Sequence, residues 1–551
     1  MTRRSAIALL SAAGAVTAQH RAAAVADIVR SNDERVANYI KSQNTDPSSR
    51  WRGAIADVDG LHQPGSAGRV LAVGVAAYLH QESKFHQDPE LRRRIQLASD
   101  HLARLQTPDG NFNLLSTNFN SPPDLAFIML NAGTAASLAR KHNEQEIFSW
   151  MEPWIRKAGD GLARGGVHTP NHRWVTCAAL AQVNGLFPAQ RYLDRIDQWL
   201  AEGIDIDADG QYSEQSTAEY NAVSDNALAM VAEKLDRPEL LDPVRRNLEA
   251  MLLLLHPGLE VVTEISRRQD RNTVGDMSRY WFSLRCLARK DADGRYETLV
   301  RSMEPQSASL AFLMDFPALQ GEGPAPSPLP DDYEKSFPQS NFVHIRRGQT
   351  SASLILRGNS RFFACRRGAA IIHGVRFASA FFGKGQFTPT SGAKQGDRYV
   401  MEQSLEGPYF QPFEPPRKQP PGVDAWYELR PQRKQTEVAK IRYSAEVLER
   451  KNGFDVRIRT EGTDDVPIAV EINLREGGEI EGVTALPGSD DVYLLGEGEA
   501  TFRRGGDEIR FGPGIAETRY TAVRGALPKL PGPSVYLTAF TPFDHTLRFR
   551  W

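Results

Sequence analysis

The feature that most constrains this chain is a change in the spacing of its apolar residues. Over residues 25–305 they recur every three to four positions, as in "VADIVRSNDERVANYIKSQ" and "PELRRRIQLASDHLARLQ". That spacing gathers them on one face of a helix. About eleven such segments follow one another, joined by short turns, with almost no strand signal. Then comes "FPALQGEGPAPSPLPDDYEKSFPQ", dense in Pro and Gly. Beyond it apolar and polar residues alternate, as in "VAKIRYSAEVLERKNGFDVRIRTEG". A period of two between turn signals reads as half-buried strands. The chain is therefore expected to be an α+β multidomain protein. A helical domain spans 25–315, a Pro-rich linker 316–340, and an antiparallel β-sandwich 341–551. The helical run has no fixed sequence repeat, which argues against a regular array. A bundle, a solenoid or a closed toroid of hairpins remains. In the sandwich, Asn452-Gly453 between alternating segments predicts a hairpin.

Residues 1–24 read as a targeting segment. "MTRRSAIALLSAAGAVTA" has an arginine pair, then a small-residue apolar stretch, then A-x-A-like sites. This is the order of a secretory signal, and Arg3-Arg4 loosely resembles a twin-arginine type. The mature protein is expected to be secreted or periplasmic. No later stretch is apolar for long enough to span a membrane. The net charge of −2 offers no global cationic field for nucleic acid. An acidic ligand must then be held by a local group of cations. Cys177, Cys286 and Cys365 are too few for a disulfide framework and read as buried thiols. No cofactor is expected; His344, His373 and scattered carboxylates could form a structural zinc or calcium site in the sandwich, but no ligand spacing supports one.

Four short stretches carry candidate chemistry. In "GGVHTPNHRWV", Pro170 disfavours helix before it, and a helical run follows. Asn171 and His172 are thus expected where a loop becomes a helix, with Arg173 and Trp174 beside them. In "DIDADGQYSEQSTAEYNAVSDNAL", Asp209-Gly210 makes a turn. Tyr212, Glu214 and Ser216 follow, and a helix starts near Tyr220. Tyrosines in so polar a segment are expected at a rim rather than in the core. Asn118 and Asn120 precede Ser121-Pro-Pro, a helix N-terminus. Arg267, Arg268 and Arg271 cluster between two helices, as a site for carboxylates or sulfates or as a solvated face.

A helical half, a Pro-rich joint and a long sandwich resemble the toroid-plus-sandwich polysaccharide lyases, the heparinase II/III-like and alginate lyase group. The resemblance rests on Asn171-His172, followed by Asp209-Gly210-Gln211-Tyr212-Ser213-Glu214-Gln215-Ser216 with Tyr220. It implies an α/α toroid before an antiparallel β-sandwich, no cofactor, and an acidic polysaccharide or oligosaccharide as substrate. The implied reaction is β-elimination at C4–C5 of a uronate. Asn171, His172 and Tyr220 would be catalytic. Asn118, Asn120, Arg173, Trp174, Tyr212, Glu214, Arg268 and Arg271 would bind substrate. The β-domain of such enzymes often supplies a further histidine, for which His373 is the candidate and His344 the rival.

The chemistry fits these residue types. The C5 proton is acidic only when the neighbouring carboxylate is neutralised, a task for Asn171 and nearby arginine. A base must then take that proton, and an acid must protonate the leaving oxygen. His172 and Tyr220 are the pair, with the roles open. Two other readings remain. One is a toroid glycoside hydrolase using carboxylates such as Glu214, Glu219 and Asp225. The other is a non-catalytic glycan binder using Trp174, Tyr212 and Trp281.

Overall fold

The computed structural model describes residues 25–551. The expected signal segment, 1–24, lies outside the described residues. The chain divides into two compact units: residues up to 330 except 256–258, and residues 331–551 together with 256–258.

The first unit is helical. Its helices are α1 (25–42), α2 (Pro64–Leu79), α3 (Pro89–Leu105), α4 (Pro122–Lys141), α5 (Gln145–Arg164) and α6 (Asn171–Leu186). They continue with α7 (Gln190–Leu200), α8 (Tyr220–Leu235), α9 (Leu241–Leu252), α10 (Trp281–Lys290), α11 (Gly294–Ser302) and α12 (Ser309–Asp315). Even-numbered helices pack side by side: α2 on α4, α4 on α6, α6 on α8, α8 on α10, α10 on α12. Helix α12 returns to α2, so this inner ring closes into a toroid. The sequence explains which helices go inside. Helices α2, α4, α6 and α8 are rich in Ala and Gly and are buried on most sides. Small residues let them approach closely: a Cβ on Gly133 of α4 would lie 2.4 Å from Gln182 Oε1 of α6. A helix apolar all round is one that is buried all round.

Local starts follow the sequence signals. Ser121 caps α4, whose first residues are Pro122-Pro123. Pro170 precedes α6, and α8 begins at Tyr220. A short hairpin, Phe112–Leu114 with Asn118–Ser121, is the only two-stranded sheet among the described residues of this unit. The segment 316–330 is not a free linker. Its backbone is tied to the toroid, with Ser327 N donating to Gly294 O (3.0 Å) and Arg285 Nε to Leu319 O (2.8 Å). Residues Asp332–Phe337, also expected in the linker, form a strand paired with Phe342–Arg347. The sandwich therefore starts before residue 341. Proline richness signalled the lack of helix there but not the packing.

The second unit holds an eight-stranded sheet and a ten-stranded sheet. Pairing is antiparallel except where Val492–Leu494 runs parallel to Ser534–Phe540. Side chains from both sheets form one apolar core, including Phe363, Phe377, Tyr443, Phe454 and Phe549. The expected hairpin joins Gln435–Arg450 to Gly453–Gly462, with Lys451 and Asn452 as the loop residues. Gly453 opens the returning strand at φ 148°, where a Cβ would meet Phe549 O. His256 of the short 256–258 segment sits against this unit, its Nδ1 2.9 Å from Ser351 Oγ. All three cysteines are buried and unbridged.

Candidate functional site

The two loops that the sequence singles out come together in the first unit. Asn171 is the first residue of α6 and is 2% exposed. Its Nδ2 donates to Glu214 Oε2, across 43 residues of sequence. Its Oδ1 has no hydrogen-bond partner. Burial pushes the Glu214 carboxyl upward, opposed by the hydrogen bond from Asn171 and by the nearby Arg268 charge. Arg268 lies over the ring of Tyr220, 5.1 Å from its centroid. The Tyr220 hydroxyl accepts from Gln269 Nε2 at 2.8 Å. Asn171, Glu214, Arg268 and Tyr220 are thus linked in one cluster.

His172 lies beside it and is mostly buried. Its ring meets Phe127 of α4 edge-on (5.8 Å) and His168 edge-on (4.7 Å). Its Nδ1 has no partner. Burial, and after it the His168 charge, lower its pKa to about 4. The imidazole is therefore neutral at neutral pH and able to accept a proton.

The loop that presents Glu214 and Tyr220 is held from below by Asp270, which sequence reasoning missed. Asp270 is buried; its Oδ1 accepts from Ser216 Oγ (2.9 Å) and its Oδ2 from Ala218 N (3.0 Å) and Ser266 Oγ (2.9 Å). Thr217 Oγ1 donates to Val262 O at 2.7 Å, and Ser216 Oγ accepts from Tyr220 N at 3.1 Å. Within "SRRQDR" nothing in the sequence distinguishes Asp270 from a solvated charge. Gln269, the partner of Tyr220, was missed for the same reason.

No protein-family model matches the chain, and no curated protein matches it in sequence. Solved structures do match. The chain is similar to the chondroitin AC lyase of Streptomyces coelicolor A3, solved in complex with chondroitin sulphate. The TM-score is 0.54 at 12% identity, covering 95% of this chain and 79% of that one. It is also similar to a Paenibacillus xanthan lyase, with TM-score 0.56 at 11% identity, covering 96% of this chain and 57% of that one. The chain has a polysaccharide-lyase fold.

Within this lyase fold several expected sugar contacts turn inward. Trp174 is fully buried, and its Nε1 donates to Asp205 Oδ1 at 3.0 Å. Arg173 pairs with Glu202 (3.0 Å) and Asp205 (2.9 Å), so both residues brace the turn before Asp209-Gly210. Tyr212, expected at a rim, is 2% exposed; its hydroxyl donates to the buried Asp225 at 2.7 Å. Burial raises the pKa of both groups above their usual ranges, and the pair pegs the loop to α8. Asn120 stays exposed, but its side chain is engaged by the turn before the hairpin, donating to Asp109 (2.7 Å) and accepting from Thr107 (2.7 Å). Asn118 Nδ2 donates to Asp124 Oδ2 at 3.0 Å. Arg271 is exposed, in the loop next to Arg268. Trp281 is 4% exposed and belongs to the core.

His373 lies in the second unit, on the strand Ala370–Ser379, where its Nε2 accepts from Arg475 Nε at 3.0 Å. His344 is fully buried there, its Nδ1 3.3 Å from the Tyr333 hydroxyl. Among the described residues no three His, Cys, Asp or Glu side chains group to hold a metal. No described helix is long and apolar enough to cross a membrane.

Proposed function

We propose that this protein is a polysaccharide lyase that cleaves a uronate-containing glycan by β-elimination at C4–C5 of the uronate. The observation that carries this reading is the convergence of Asn171, Glu214, Arg268 and Tyr220, with His172 alongside. The Arg268 guanidinium and the Asn171 amide meet the uronate carboxylate and take up the charge that develops as C5 loses its proton. Glu214 orients the amide. His172, neutral, accepts the C5 proton, and the C5–H electrons form the C4=C5 double bond. The C4–O bond breaks, and its oxygen takes the Tyr220 hydroxyl proton. An imidazole with so low a proton affinity is a weak base. It serves only because neutralising the carboxylate has first made the C5 proton acidic.

Two sets of observations weigh against the rival readings. Of the carboxylates a hydrolase was expected to use, Asp225 is fully buried against Tyr212, and Glu219 pairs with Arg279 at 3.1 Å. Of the residues expected in a passive glycan platform, Trp174, Tyr212 and Trp281 are buried, and only the arginines remain at the surface. The similar solved structures are named for chondroitin and xanthan, both acidic glycans, which suits a site built on arginine. Export through residues 1–24 is part of the proposal and is tested by N-terminal sequencing of protein recovered outside the cytoplasm. The function is tested by incubating the protein with a panel of uronate-containing polysaccharides. An unsaturated product absorbing in the near ultraviolet is expected; reducing ends without that absorbance would establish a hydrolase instead.

A further inference from the structure

We infer that the bore of the toroid is a binding cavity for an anionic sugar, with Arg69 as the group that holds the charge. The inference rests on the lyase reading only for the identity of the sugar. The cavity has a volume of about 640 Å³. That falls within the roughly 300–1,000 Å³ of small-molecule sites. Helices α1, α2, α4, α8 and α12 all contribute to its wall.

Two helix faces join this cavity to the proposed catalytic groups. On α4, Asp124, Phe127 and Asn131 line the cavity, and Phe127 is the ring that packs against His172. On α8, Val223 and Asn226 line it, three and six residues after Tyr220. Residues three or four apart share a helix face. The proposed elimination groups therefore adjoin helix faces that line the bore.

The charges in the wall decide the ligand. Asp57 is occupied by the backbone N–H groups of Asp59 (3.1 Å) and Leu61 (2.8 Å). Asp124 accepts from Asn118 and Ser121. Arg279 is paired with Glu219. Arg69 lines the cavity as an exposed residue on an otherwise buried helix, and among the described residues it has neither an ion pair nor a hydrogen bond. Asp57 and Asp124 have their oxygens engaged by neutral donors, and the unpaired Arg69 guanidinium suits a carboxylate or sulfate ester carried by a sugar. Ile55, Phe127 and Phe312 offer apolar surface to the ring faces.

The test is equilibrium binding of a saturated glucuronate-containing disaccharide to the full chain, by calorimetry, beside its uronate methyl ester. Arg69→Ala should weaken binding of the acid by about tenfold or more and leave the ester unchanged. Arg69→Gln, which keeps most of the stem, should do the same and serves if Arg69→Ala melts early. Equal affinity of wild type and both variants for the acid would overturn the inference, as would equal losses for acid and ester. A wild type that binds in an Arg69-dependent way but forms no unsaturated product keeps the cavity and removes the lyase. A wild type that eliminates, with Arg69 variants binding equally well, keeps the lyase and removes the cavity.

Discussion

Replacing Tyr220 by phenylalanine removes one oxygen from a half-buried ring whose hydroxyl meets only the exposed Gln269. A hydrogen bond to an exposed amide is readily replaced by water, so folding stability should change by less than about 1 kcal/mol. The ring, and Arg268 over it, stay in place. The proposed proton donor is gone, however, and such groups contribute about a hundredfold or more to rate, near 2.7 kcal/mol at the transition state. Tyr212→Phe, eight residues away, should do the reverse. Its hydroxyl is the partner of Asp225, whose other oxygen, Oδ2, already lacks one, in a fully buried setting. Stripping that partner should destabilise the fold by about 1–3 kcal/mol. Its effect on turnover should follow only from loosening of the loop. Initial rates of near-ultraviolet absorbance on the best glycan of the panel, with urea unfolding of each variant, separate the two. A Tyr220→Phe enzyme within threefold of wild type would refute the assignment. So would a Tyr212→Phe enzyme that is fully stable and inactive.

Protonation supplies a second prediction. Burial lowers His172 and His101 to about 4, below the unperturbed histidine value. The unfolded chain therefore binds protons between about pH 6.5 and 4 that the folded chain refuses, and stability should fall as pH drops through that window. His172→Asn should shallow the slope by up to about 1.4 kcal/mol per pH unit in denaturation series, and an unchanged slope would contradict the burial argument. Asp270→Ala leaves buried Ser216, Ala218 and Ser266 donors without their acceptor. It should cost about 2–4 kcal/mol and most of the activity, read by urea unfolding and the absorbance assay. Gly210 sits at φ 77° with its absent Cβ 2.6 Å from Arg246 O. Gly210→Ala should cost about 2 kcal/mol or more in the same unfolding assay, and a neutral substitution would mean that the turn can move.

Both architectures, and the points where the key elements begin, can be read from the residues alone. Apolar spacing is set by backbone geometry, so a period near 3.6 or of 2 is readable without knowing any partner. Pro122-Pro123, Pro170 and the polar run before Tyr220 mark helix starts for equally local reasons, and α4, α6 and α8 begin there. Which way each polar or aromatic side chain of the loops turns depends on packing across the whole fold. Trp174 and Tyr212 look like sugar platforms in one dimension. In three they are buried against Asp205 and Asp225, partners 31 and 13 residues away. Asp270 looks like one charge in a basic run, yet it holds a loop 54 residues earlier. The closing of α12 onto α2 and the bore it encloses likewise depend on contacts that no local pattern encodes. Direction in a loop is set by whichever buried donor or acceptor lies opposite, and that neighbour is chosen by the fold as a whole.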